Sequence, residues 1–309
     1  MGALDPADGP ADGFGTDGLI WERRPRLTRP LMVCAFAGWN DAGEAATGAT
    51  RWLAREFDAR PFASVDPETH LDYRRHRPRL HLVDGVTSDI DWPANRFLAG
   101  PTGGPHDAVL LMGMEPSRNW RSFCRAVLEV VATTGCEMVV MLGALLADVP
   151  HTRPPVLTGS ATDPALIDGL GLSRSRYEGP TGIVGVLHDQ CRAAGVPSVS
   201  LWAPVPHYLP PIHSDPPATE LLLSRTADLL GVGLRLDELR REGEEWRLRI
   251  DDAVGDDDDT RAYIRRLEER ADHPSAETGT SAGDDIAAAF ERYLREQDAG
   301  GEGRDEGDG

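Results

Sequence analysis

Four short apolar runs recur along the first two thirds of the chain: LMVCAF (31–36), AVLLMG (108–113), EMVVML (137–142) and SVSLWA (198–203). Each has the length of a strand and almost no polar interruption, the pattern of a strand buried on both faces. Helical periodicity fills the gaps. Residues 41–57 carry Asp41 as a cap ahead of Ala45, Ala49, Trp52, Leu53 and Phe57. Residues 117–135 open with Ser117 as a candidate cap and stop at Gly135. Residues 180–195 stop at Gly195, and 216–231 close the series. Run, helix, run, helix predicts an α/β fold: a mostly parallel central sheet flanked by helices. Residues 59–100 break the rhythm. There polar and apolar positions alternate between turn signals, which predicts extended, antiparallel strands inserted beside the sheet.

Beyond residue 233 the pattern and the composition both change. Leu236, Leu239, Trp246, Ile250 and Val254 recur at near-helical spacing, and Tyr263, Ile264 and Leu267 mark a second short helix. A third amphipathic helix is expected over 284–297, with Ile286, Phe290 and Leu294 or Tyr293 as its apolar stripe. Residues 235–309 hold 24 acids and 12 arginines of a chain whose net charge is −19. The expected organisation is a disordered arm over 1–18, an α/β domain over 19–233, a helical extension over 234–271 and a flexible acidic tail over 272–309. The strongly negative balance argues against a nucleic-acid backbone as partner. Residues 1–18 lack the basic and apolar regions of a signal peptide. No apolar run approaches the roughly 18 residues of a membrane span, so a cytoplasmic protein without a membrane partner is expected. All 32 basic residues are arginine, which reads as a genome's codon bias. Cys34, Cys124, Cys136 and Cys191 are widely spaced and without a CxxC pair, as expected of buried free thiols in a reducing compartment.

Ligands of an open parallel sheet bind beyond the carboxyl ends of its strands, where loops and helix N-termini converge. The segments after the four runs therefore supply the candidate ligand or partner cleft. They are Asn40 and Asp41 after the first, Glu115 and Arg118 after the second, Asp148, His151 and Arg153 after the third, and His207, with Tyr208, after the fourth. Tyr177 and Glu178 join them from the turn that enters the 180s helix. In LADVPHTRPPVLTGS (146–160), prolines 150, 154 and 155 stiffen the loop and hold His151 and Arg153 in place. Two readings stay open for Arg153: an ion pair with Asp148 or Glu178 that pins the loop, or a fork offered to a ligand or partner. His151 divides in the same way. Asn40 and Asp41 are adequately explained as turn and cap, Trp120 as packing, and His207 with Tyr208 as loop packing or an interface. Catalytic patterns are missing. No GxGxxG, phosphate-binding loop, GxSxG elbow, HExxH or Cys/His cluster occurs, so neither a metal nor another cofactor is expected. Asp256–Asp259 read as a solvated linker.

Taken together, GWNDAGEAAT (38–47), GALLADVPHTRPPVLTGSA (143–161), YEGPTGIVGVLHDQC (177–191) and PSVSLWAPVPHYLPP (197–211) resemble the actinobacterial branch of the proteasome assembly chaperone 2 family. The likeness runs continuously over about 19–233. It implies an α/β fold of the nucleoside phosphorylase and peptidyl-tRNA hydrolase kind, and homo-oligomers, with a trimer among them. It also implies a non-enzymatic binding or assembly factor whose partners are proteasome subunits or another protein, with the bacterial role open. The alternatives are a small-ligand binder or enzyme using the strand-end cleft, and a protein whose motif loops serve self-association. One departure stands out. Family members that dock on proteasomes end in a hydrophobic–Tyr–any-residue motif. Here the last residues are Gly307, Asp308 and Gly309, and Arg292-Tyr293-Leu294 is neither hydrophobic at its first position nor terminal. The expectation is that the tail helices dock on the domain itself or on another partner.

Overall fold

A computed structural model describes residues 16–169, 172–174, 179–209, 214–255 and 257–273. The first half of the chain runs β1 (Leu19–Trp21), β2 (Leu31–Ala37), α1 (Ala45–Glu56), β3 (Arg60–Val65), α2 (Pro67–His70), β4 (Arg79–Val83), β5 (Val86–Asp91), β6 (Asn95–Gly100), β7 (Ala108–Met114) and α3 (Trp120–Thr134). The second half runs β8 (Met138–Ala147), β9 (Thr158–Ala161), α4 (Pro164–Gly169), β10 (Ser173–Arg174), α5 (Ile183–Ala193), β11 (Ser198–Pro206), α6 (Pro216–Leu230), α7 (Asp237–Val254) and α8 (Asp258–Asp272).

Among the described residues, nine strands make one sheet in the order β1-β3-β6-β7-β2-β8-β11-β9-β10. The four apolar runs are its contiguous centre, β7-β2-β8-β11, and all pair in parallel. The excursion over 59–100 supplies β3 and β6, antiparallel on one flank, and the separate β4–β5 ribbon. Strand alternation sorts the centre into two cores. Leu31, Val33 and Ala35 join Ala45, Ala49 and Leu53 of α1 and Leu222, Leu223 and Leu230 of α6. Met32, Cys34 and Phe36 pack on the other face against Phe123, Val127 and Val130 of α3 and Ile183, Leu187 and Cys191 of α5. Both faces are covered, so the runs could not alternate in polarity. Gly143 shows how tight the centre is: a β-carbon there would meet the Trp202 ring on the adjacent strand at 2.4 Å.

Three local expectations shift. The helix read from residue 41 starts at Ala45, because a 3-10 turn over Ala42–Glu44, with Gly43 at φ +58°, intervenes. Asp41 still caps it, from farther back, accepting from the amides of Ala46 (2.8 Å) and Thr47 (3.0 Å). Ser117 is not a helix cap. Its amide donates to the His70 carbonyl and its hydroxyl accepts from Asp72, while α3 begins at Trp120 behind a left-handed Asn119. Before β1, Thr16–Gly18 form a 3-10 turn tied down by Asp17, which takes both forks of Arg125 and the Ser122 hydroxyl. Arg125 holds the Asp17 carboxyl below its usual range. All four cysteines are free, and burial pushes Cys124 up to about 12 and Cys136 and Cys191 to about 11. The expected helix over 284–297 lies outside the described residues.

Candidate functional site

The parallel centre does bring the segments after β2, β7, β8 and β11 to one end of the sheet, and there they split into two groups. The first is a buried polar latch. Asn40 is fully buried, and its amide donates to Glu115 Oε1 at 3.0 Å. The Ile183 amide, the first of α5, donates to the same oxygen at 2.9 Å, so Glu115 caps a helix that begins 68 residues further along the chain. The Asn40 carbonyl accepts from the Ala144 amide at 2.8 Å, which joins the β2 loop to β8. Gly182 completes the fit: a β-carbon there would lie 2.6 Å from Asn40 Oδ1 and 2.7 Å from Glu115 Oε1. Asp41 remains with α1, and burial raises its carboxyl above the ordinary value. Arg118 turns away and donates to the Leu71 carbonyl.

The second group is the stiffened loop after β8 and the loop after β11, and it holds the tail helices. His151 is buried, with its side chain 1% exposed. Its backbone amide donates to the Tyr208 hydroxyl at 2.8 Å, its Nδ1 lies 2.7 Å from that hydroxyl, and its Nε2 lies 3.0 Å from Asp251 Oδ1 on α7. One proton arrangement satisfies all three contacts: the hydroxyl accepts from the amide and donates to Nδ1, and Nε2–H donates to Asp251. Burial pushes the Tyr208 hydroxyl up to about 12, so it stays protonated as this arrangement requires. Arg153 forks onto Asp272 of α8, with both bonds at 2.8 Å, and reaches Glu268 at 3.4 Å. Thr152 donates to the same Glu268. His207 pairs with Asp148 at 3.1 Å and meets the Tyr263 ring of α8 edge-on, with Tyr208 beside it. Burial, followed by the charge of Asp148, raises the Tyr263 hydroxyl.

The loop that holds three ionisable groups between prolines is thus a platform for helices. Arg153 does not pair with Asp148; apart from long bonds to the adjoining Thr152, its partners are acids 115 and 119 residues away. Tyr177 and Glu178 lie outside the described residues. The partners Asp251, Glu268 and Asp272 went unread in the sequence, although Asp251 and Glu268 directly follow the buried stripe positions Ile250 and Leu267, and Asp272 lies five residues past Leu267. Acids bordering an apolar stripe are the sequence signal that could have found them. A cavity of about 560 Å³ opens at the opposite end of the sheet, near the starts of β2, β8 and β11, lined by Leu31, Met138, Val196, Pro197 and Leu229. Among the described residues, no group of His, Cys, Asp and Glu has the arrangement of a metal site, and no helix is long and apolar enough to cross a membrane.

Comparison with known proteins follows the same outline. A proteasome-assembly chaperone homologue of Mycobacterium tuberculosis is 43% identical, with TM-score 0.71, over 76% of this chain and 99% of that one. A PAC2 family protein from Streptomyces avermitilis is also 43% identical, with TM-score 0.69 and the same coverage. A Mycobacterium tuberculosis protein of unknown function is 27% identical with TM-score 0.77, over 89% of this chain and 98% of that one. No curated protein matches. The PAC2 family pattern matches residues 35–254, from the end of β2 through α7, which takes in Asn40, Glu115, His151, Arg153 and His207. The chain belongs to the PAC2 family.

Proposed function

We propose that this chain is a protein-binding assembly factor whose strand-end rim recognises helices, with proteasome α subunits as the first partner class to test. The carrying observation is the occupancy of the rim. His151, Thr152, Arg153 and His207 each contact a side chain of α7 or α8, and every one of those contacts is to an acid or to an aromatic ring. A buried histidine, a fork-shaped cation and two aromatic rings on a stiffened loop suit an amphipathic helix with acids beside its apolar stripe. The chain's own tail meets that description, so α7 and α8 hold the surface in cis. The mycobacterial relative described as a proteasome-assembly chaperone homologue supports the choice of partner.

The test is a pulldown of purified 20S α subunits with wild type, with Tyr263→Ala to loosen α8, and with Arg153→Glu to spoil the platform. Capture should rise with Tyr263→Ala and fall with Arg153→Glu. Equal recovery on all three and on bare resin rejects the proposal.

A further inference from the structure

The tail helices occupy the rim at one end of the sheet. The cavity of about 560 Å³ lies at the other end, and its volume is within the range of small-molecule sites. Its walls are largely apolar. Leu31 and Met138 open β2 and β8, Leu166 comes from α4 and Leu229 from α6. An apolar body placed among them leaves water, which favours its binding. The polar groups of the cavity then decide what else a ligand must carry, and three of them are already engaged. Glu137 takes both forks of Arg29, at 2.9 and 3.2 Å. The Thr162 hydroxyl accepts from the Ser198 amide at 2.9 Å and donates to the Ser198 carbonyl at 3.3 Å. His106 Nδ1 lies 2.8 Å from the Arg29 carbonyl.

Two charges at the same cavity keep capacity in reserve. Arg192, in the last turn of α5, gives Nη2 to Asp189 at 2.7 Å, and the rest of its guanidinium has no acceptor among the described residues. Asp163 uses Oδ1 to accept from the Ala165 amide at 2.9 Å and makes no ion pair among the described residues. A cation and a carboxylate thus line one apolar recess without pairing with each other. A guanidinium edge suits a carboxylate, and a carboxylate oxygen suits an ammonium group. We propose that this cavity binds a small apolar zwitterion the size of a dipeptide. Its carboxylate meets Arg192, its ammonium meets Asp163, and its side chains rest on Leu31, Met138, Leu166 and Leu229. A ligand with a carboxylate alone leaves Asp163 unmatched, and one with an amine alone leaves Arg192 unmatched. The site stands apart from the rim and does not rest on the assembly-factor reading.

Titration calorimetry of the full chain with leucyl-leucine reads this out, with thermal melts alongside. The dipeptide should give a saturable heat and raise the melting temperature. N-acetyl-leucyl-leucinamide, which keeps the apolar body and loses both charges, should bind at least about tenfold more weakly. Arg192→Gln and Asp163→Asn should each weaken the free dipeptide by about tenfold. Both positions are exposed and asparagine keeps the acceptor for Ala165, so both variants should melt like wild type without ligand. Leu166→Trp, which fills the recess, should abolish the heat. Arg153→Glu, at the far end of the sheet, should bind the dipeptide as wild type does, whatever it does to protein capture at the rim. No saturable heat with leucyl-leucine overturns the proposal. So does a blocked dipeptide that binds as tightly as the free one, or a charge variant at Arg192 or Asp163 that binds like wild type.

Discussion

Two appendages leave the central sheet, and both are amphipathic. The tail contributes α7 and α8, whose stripe of Leu239, Trp246, Ile250, Ile264 and Leu267 is buried on the domain. The ribbon contributes Leu80, Leu82 and Ile90, all more than 40% exposed. In pattern they are equals; in environment they are opposites. The tail meets a prepared surface. A β-carbon at Gly243 of α7 would lie only 3.7 Å from the ring of Pro217 at the start of α6, and His151 and Arg153 await the tail's acids. Among the described residues, the ribbon pairs with no strand but itself. The difference teaches that amphipathic pattern declares a need for burial without naming what supplies it.

The sharpest contrast should come from two tryptophans. Trp246→Ala empties a fully buried site and should cost about 3–5 kcal/mol in urea unfolding, whereas Trp92→Ala on the ribbon should stay within about 0.5 kcal/mol. Equal losses would erase the distinction between the appendages. Next in size is a pH effect beneath the tail. Asp215 caps α6 by accepting from Ala218, and burial pushes its carboxyl up to about 6, with Arg247 of α7 opposing the rise. The folded pKa exceeds the ordinary carboxylate value, so the folded state binds the proton more tightly. Its contribution to stability is whole below about pH 4 and is lost as pH rises through 6. Asp215→Asn keeps a good cap, so it should gain on wild type by roughly 2–3 kcal/mol between pH 4 and 7 in thermal melts. A parallel pair of pH profiles would refute this.

His151→Ala should cost about 1–3 kcal/mol, because it removes the acceptor of the Tyr208 hydroxyl and the donor to Asp251, and should speed amide exchange in α7 while leaving β4 and β5 unchanged. Exchange rising evenly through the molecule would mean that the histidine serves the whole fold. The smallest effect belongs to Arg153→Ala. Its ion pairs are partly exposed, so about 0.2–1 kcal/mol is expected, shrinking further in salt, with faster exchange confined to α8.

Local period carried most of the fold. Strands buried on both faces must be apolar throughout, and β2 and β7 lie within a residue of their apolar runs. Helix stripes recur every three or four residues, so α1, α3, α5, α6, α7 and α8 could all be read from the chain, with Ser117 mistaken for a cap because its own backbone was needed by His70. The rim was half legible. That Asn40, Glu115, Arg153 and His207 follow parallel strands placed them at one end of the sheet. That Asn40 and Glu115 lock the start of α5 while Arg153 and His207 hold α8 could not be read, because both outcomes use the same residue types.

By itself, then, the sequence determined what depends on near neighbours: which segments are strand or helix, which faces are apolar, and the direction of the central strands through the helices that connect them. Only the tertiary structure decided the partners. His151 meets Asp251 across 100 residues and Arg153 meets Asp272 across 119. A place beside the apolar stripe narrows the acids of the tail without naming which one meets which loop residue; that choice is made by the packing of Trp246 and its neighbours, which fixes where each helix lies.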